Sequence, residues 1–162
     1  MKRTLCLLLI LLCLIPTLAA CSDGTVRTVE EMKITLPDTF IEVPTTRRGS
    51  SFESENMGIK IVRESKSVVE EVAGQSDVSL ETYAELVLKH NKLDLPLERV
   101  ENCLTYSYTA FDEEVGQNFT YYVTVHKSND AYWLVQFITR ETLFDDYTDD
   151  IATYLDSITF DQ

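Results

Sequence analysis

The chain has 162 residues, 14 of them basic and 27 acidic, giving a formal net charge of −13, and 44% are hydrophobic. Length and apolar content suffice for one domain with an ordinary core and exceed what a disordered chain carries. So acidic a balance excludes a nucleic-acid-binding surface, which needs clustered Lys and Arg to meet phosphates.

The first segment is Lys2-Arg3, an apolar run from Leu5 to Ile15, and Leu18-Ala19-Ala20-Cys21. A basic start, a short hydrophobic stretch and small residues before a cysteine form the layout of an export signal. Leu5 to Ile15 is too short for a membrane span, which takes roughly 20 apolar residues, and Pro16 interrupts it. The tetrapeptide resembles a bacterial lipobox, in which signal peptidase II cuts before a cysteine whose sulfur already carries lipid. The competing reading, ordinary cleavage after Ala20 to release a secreted protein, needs no cysteine at position 21. Residues 1–20 are therefore expected to be a lipoprotein signal peptide and Cys21 the lipidated residue.

That cut removes Lys2 and Arg3 and no acid, leaving 12 of the 14 basic residues against 27 acidic ones, a net of −15. Cys6 and Cys13 leave with the signal and Cys21 takes the lipid, so Cys103 remains alone and no intramolecular disulfide can form. Without a Cys-X-X-Cys or cationic context to lower its pKa, Cys103 reads as a half-buried strand residue rather than a redox centre.

Residues 21–31 are polar and aperiodic, and read as the lipidated N-terminus and a short tether ahead of a domain at 32–162. Met32 to Leu36 alternates as a strand, Phe40 to Val43 resumes after Pro37-Asp38, Thr45 to Ser51 forms a loop, and Gly58 to Glu64 is a clear strand. A short helical turn is expected at Val68 to Val72. Ser79 can cap a helix that ends near Asn91, with Leu80, Tyr83, Ala84 and Val87 on its apolar side. Three strand candidates follow, Arg99 to Ala110, Asn118 to Lys127 and Ala131 to Thr139, with separators short enough for an antiparallel meander. A last helix, capped by Thr142 with Asp145, places Phe144, Tyr147, Ile151 and Leu155 on one side, and Ser157 to Phe160 closes as an extended piece.

The motifs Leu36-Pro37-Asp38-Thr39-Phe40, Ser79-Leu80-Glu81-Thr82-Tyr83-Ala84 and Asp156-Ser157-Ile158-Thr159-Phe160, in this order of elements, resemble the PsbP-like or DcrB-like domain found in bacterial lipoproteins. The resemblance spans most of residues 32–160 and implies an α+β fold, an antiparallel sheet flanked by helices in an α/β/α sandwich. It implies no shared catalytic residues and an accessory or binding role.

Candidate chemistry is sparse. Asp145, Asp146, Asp149 and Asp150 offer carboxylates to a hard cation such as calcium, but one face of a regular helix cannot wrap an ion, and a solvated face suits them better. His90 and His126 have no ligand partner at metal spacing and read as surface or border residues. No phosphate loop, dinucleotide fingerprint or nucleophile elbow is present. Tyr106, Tyr108, Tyr121, Tyr122, Tyr132 and Trp133 on neighbouring strands read as core, or as a binding surface where one face is open.

The sequence therefore predicts a non-enzymatic accessory or protein-binding lipoprotein at the extracytoplasmic face of the cell membrane. It would be anchored through lipid on Cys21 and engage a membrane-proximal protein partner, with no cofactor, no metal site and no nucleic acid. The alternative is a small-ligand or divalent-cation (calcium) binding module.

Overall fold

The computed structural model describes residues 24–45 and 49–161. Its strands are β1 (Thr25–Val29), β2 (Met32–Leu36), β3 (Ile41–Val43), β4 (Ser50–Glu53), β5 (Met57–Ser65), β6 (Glu98–Val100), β7 (Cys103–Asp112), β8 (Gln117–Lys127), β9 (Ala131–Arg140) and β10 (Thr159–Phe160). Helices α1 (Lys66–Ala73) and α2 (Leu80–His90) separate β5 from β6, and a 3-10 segment (Glu141–Tyr147) leads into α3 (Thr148–Asp156).

Seven strands form the main sheet in the order β3-β4-β5-β9-β8-β7-β6, and β1-β2-β10 form a second, small sheet. Every pairing is antiparallel. Alternation along the strands sends side chains to two different cores. On β9, Trp133, Val135 and Phe137 join Met32, Ile34 and Leu36 of β2 and Ile151 and Tyr154 of α3. Tyr132 and Leu134, of opposite parity, join Val69 of α1 and Tyr83, Ala84 and Val87 of α2. The protein is thus an α+β fold with an antiparallel sheet covered by helices on both faces, as expected. On one of those faces, α3 shares its layer with the small sheet.

Local chemistry explains most boundaries. The Ser79 hydroxyl accepts from the Thr82 amide at 3.1 Å and caps α2 as predicted. Replacing Ser79 with Ala is expected to cost about 1 kcal/mol, read from the midpoint of urea unfolding. Gly49 sits at φ 119°, where a Cβ would also run into the Ile61 carbonyl oxygen, so the chain turning into β4 needs glycine there.

Four expectations are corrected. The stretch assigned to a tether contains β1, which pairs with β2 through the two-residue turn Glu30-Glu31, with Glu30 in the left-handed region at φ 51°. The strand drawn from Arg99 to Ala110 is two strands. Glu101, at φ 49°, reverses the chain, so that Arg99 faces Leu104 and Val100 faces Cys103. The loop at Thr45 to Ser51 gives way early, since Ser50 and Ser51 already pair with β5. Thr142 caps nothing; the backbone winds as a 3-10 helix over Glu141–Tyr147 with no side-chain cap, and α3 starts only at Thr148.

Arg63 of β5 ties the two sheets together. Its guanidinium lies 3.0 Å from Glu30 and from Glu31 in the β1–β2 turn and 3.0 Å from Asp130 in the β8–β9 turn. It also sits over the Trp133 ring, 5.7 Å from the centroid, where a cation is attracted to the π face. The Trp133 indole nitrogen donates to the Ser128 hydroxyl at 3.2 Å.

Candidate functional site

Cys21 and the signal peptide at 1–20 lie outside the described residues. The first strand begins four residues after that cysteine. Among the described residues, no helix is long and apolar enough to cross a membrane.

The remaining sequence candidates are dispersed or occupied. Cys103, the first residue of β7, is buried, and its Sγ donates to the Val100 carbonyl at 3.2 Å. Burial pushes its thiol pKa up and the Glu101 carboxylate adds to the shift, so the thiol stays protonated and poorly nucleophilic. His126 is not a border residue: β8 carries it onto the core side of the sheet, 8% exposed, with its ring 6.0 Å from that of Phe160. Its Nε2 lies 2.9 Å from the Thr124 hydroxyl. Burial lowers its pKa to about 4, which keeps the imidazole neutral at physiological pH. Cys103 and His126 line the same cleft of about 310 Å³, yet each directs its hydrogen bond elsewhere. His90 is exposed at the end of α2.

Asp145 and Asp146 lie in the 3-10 segment, Asp149 and Asp150 in the first turn of α3, and all four are exposed. Among the described residues, no three His, Cys, Asp or Glu side chains gather as a metal would require. The aromatic set divides by strand parity. Trp133 and Tyr132 are fully buried on opposite faces, Tyr106 is buried, and Tyr108 and Tyr121 stack half-buried on the helix side at 4.8 Å.

A further cleft, of about 250 Å³, opens between α1 and α2 above β5 and β9. Val68, Val72, Leu86 and Val87 supply aliphatic wall, and the polar groups are Tyr83 and Glu64, with His90 and Asn91 at the end of α2. It exists because α1 turns only Val69 fully inward, leaving Val68 at 45% and Val72 at 71% exposure. Tyr83 is 1% exposed, its ring packs 4.6 Å from that of Tyr132, and its hydroxyl neighbours the Glu64 carboxylate, to which it can donate. Burial raises its pKa strongly, and the neighbouring Glu64 carboxylate raises it further. Sequence reading took Tyr83 for core and Glu64 for a strand end. Only the run of three valines in α1, one more than a single buried stripe needs, hinted at an open wall.

No family model matches the sequence, and no curated protein matches it significantly. Among solved structures, the chain is similar to a protein from Bacteroides thetaiotaomicron VPI-5482, with 10% identity and a TM-score of 0.56 over 82% of this chain. The match takes in 46% of that protein, so this chain spans about half its length. It is also similar to the solution structure of cyanobacterial PsbP (CyanoP) from Synechocystis sp. PCC 6803. There the identity is 11% and the TM-score 0.48, over 89% of this chain and 99% of that one. The likeness to the Bacteroides protein is one of fold alone, and no functional residue carries over.

Proposed function

We propose that this chain is an extracytoplasmic lipoprotein, held at the cell membrane by lipid on Cys21, whose PsbP-like domain acts without catalysis by binding a membrane-proximal protein partner. The observation that carries this reading is Leu18-Ala19-Ala20-Cys21 placed directly ahead of β1. Four residues from Cys21 to Thr25 reach at most about 14 Å when extended. A diacylglyceryl group on Cys21 supplies two chains, enough for stable anchoring where one chain is marginal. The domain then sits against the bilayer surface, within reach of the extracytoplasmic parts of membrane proteins. Its negative charge repels anionic headgroups and favours protein over lipid as the thing bound.

The test expresses the full chain in a bacterial host and analyses the N-terminal peptide by mass spectrometry. A peptide beginning at Cys21 and carrying a diacylglyceryl mass is expected, absent from Cys21→Ala. An unmodified peptide starting at Cys21, or an intact residue 1–20 segment, would remove the anchor. Crosslinking in intact membranes then addresses the partner, and recovery of the same proteins by Cys21→Ala would count against a partner that depends on membrane placement.

A further inference from the structure

The carboxylate of Glu64, in the cleft between α1 and α2, is left without a counter-charge among the described residues. The Tyr83 hydroxyl is buried with the Glu64 carboxylate as its polar neighbour, in keeping with the rule that buried polar atoms are paired. Glu64, half-buried beside it, forms no ion pair among the described residues, whereas Arg63, its neighbour on β5, engages three carboxylates on the opposite face. The Tyr83 hydroxyl is a neutral donor and leaves the charge of the carboxylate uncompensated, so what is missing at this spot is a charged donor.

The surroundings restrict what that donor is attached to. Val68, Val72, Leu86 and Val87 are aliphatic, and the other polar side chains of the lining, His90 and Asn91, stand at the end of α2, where the Asn91 amide donates to the Val87 carbonyl. The volume, about 250 Å³, exceeds the roughly 150 Å³ of a dry cavity that takes a benzene, and falls short of the roughly 300–1,000 Å³ of drug-sized sites. The net charge of −13 draws cations toward the protein and repels anions. We propose that this cleft binds a small aliphatic primary amine, its ammonium received by Glu64 and the Tyr83 oxygen and its hydrocarbon laid against Val68, Val72, Leu86 and Val87. The site stands independently of the lipid anchor and of any protein partner.

The experiment is an NMR titration of the full chain, with Val and Leu methyls labelled, against n-pentylamine, n-pentanol and pentanoate at pH 7. Saturable shifts confined to the methyls of Val68, Val72, Leu86 and Val87 are expected with pentylamine. Pentanol should bind about tenfold more weakly and pentanoate not at all. Glu64→Gln should weaken pentylamine about tenfold and leave pentanol unchanged, and Tyr83→Phe should weaken it severalfold with the methyl spectrum otherwise retained. Equal shifts with all three compounds would mark an unspecific greasy groove and overturn the assignment, as would the lack of a saturable shift. The comparison of compounds on the unmodified chain decides the matter even where a variant does not fold.

Discussion

Lowering the pH from 7 to 4.5 is expected to remove on the order of 2–3 kcal/mol of stability through His126 alone. The imidazole is buried, and its pKa falls from the ordinary 6.5 to about 4 in the folded chain. Between those values the unfolded chain takes up a proton that the folded chain refuses, so stability falls as acid is added. The contribution is complete above pH 6.5 and declines through the window from 6.5 to 4, each pKa unit corresponding to about 1.4 kcal/mol. Other groups change charge over the same range, and a variant that lacks the imidazole shares all of them. Comparison with His126→Gln separates the two effects. In urea unfolding at half-unit pH steps, the stability difference between the two proteins should be constant above pH 7 and shift against the histidine-bearing chain by on the order of 2–3 kcal/mol by pH 4.5. Parallel curves across the whole range would mean that His126 titrates freely in the folded state.

Trp133→Ala is expected to cost 3–5 kcal/mol, the range for truncating a large buried aromatic. Trp133 is fully buried, lies 5.7 Å from the Phe160 ring of β10, and carries the Arg63 guanidinium on its face. Its loss opens a cavity where the small sheet meets the main one and strips Arg63 of its seat beside Glu31 and Asp130. Unfolding by heat should show the loss of stability. Amide exchange should show where it falls first, in β1, β2 and β10 before the meander of β7, β8 and β9. Trp133→Phe keeps most of the apolar contact and should retain the order of exchange at a smaller cost. Uniform loss of protection across both sheets in Trp133→Ala would refute a role at their junction.

What could be read from the sequence follows from how each element is stabilised. Helix α2 buries one face against a core, so its 3.6-residue period is written in the residues themselves and Ser79 marks it in advance, while β8 and β9, buried on both faces, are marked by β-branched and aromatic residues between turn signals. β1 carries no such signal. It buries only Val29 and exposes Val26, and its extended shape comes from pairing with β2. The break at Glu101-Asn102 was hidden because Glu101, not glycine, occupies the left-handed position that reverses the chain. The 3-10 winding of Glu141–Tyr147 was hidden by residues whose spacing also fits an α-helix. The cleft was least legible of all: Glu64 and Tyr83 are brought together only because α2, packed over β7 and β8, lies beside α1, which sits over β5 and β9, a tertiary event with no local trace. Placement of His126 in the core likewise depended on which face the small sheet covers.

The position of β1 also decides how the molecule carries a mechanical load. A pull entering at Gly24 reaches the outermost strand of the small sheet, whose first bonded pair is Thr25 with Leu36. Tension at that end peels β1 from β2 pair by pair, a low-force route, until it meets the turn at Glu30-Glu31. There Arg63 grips both glutamates from the main sheet, and further extension must break ion pairs and sheet contacts together. The hairpin is therefore an extensible leader of five residues with a built-in stop. A domain dragged by its N-terminal end would lengthen first and surrender its core last.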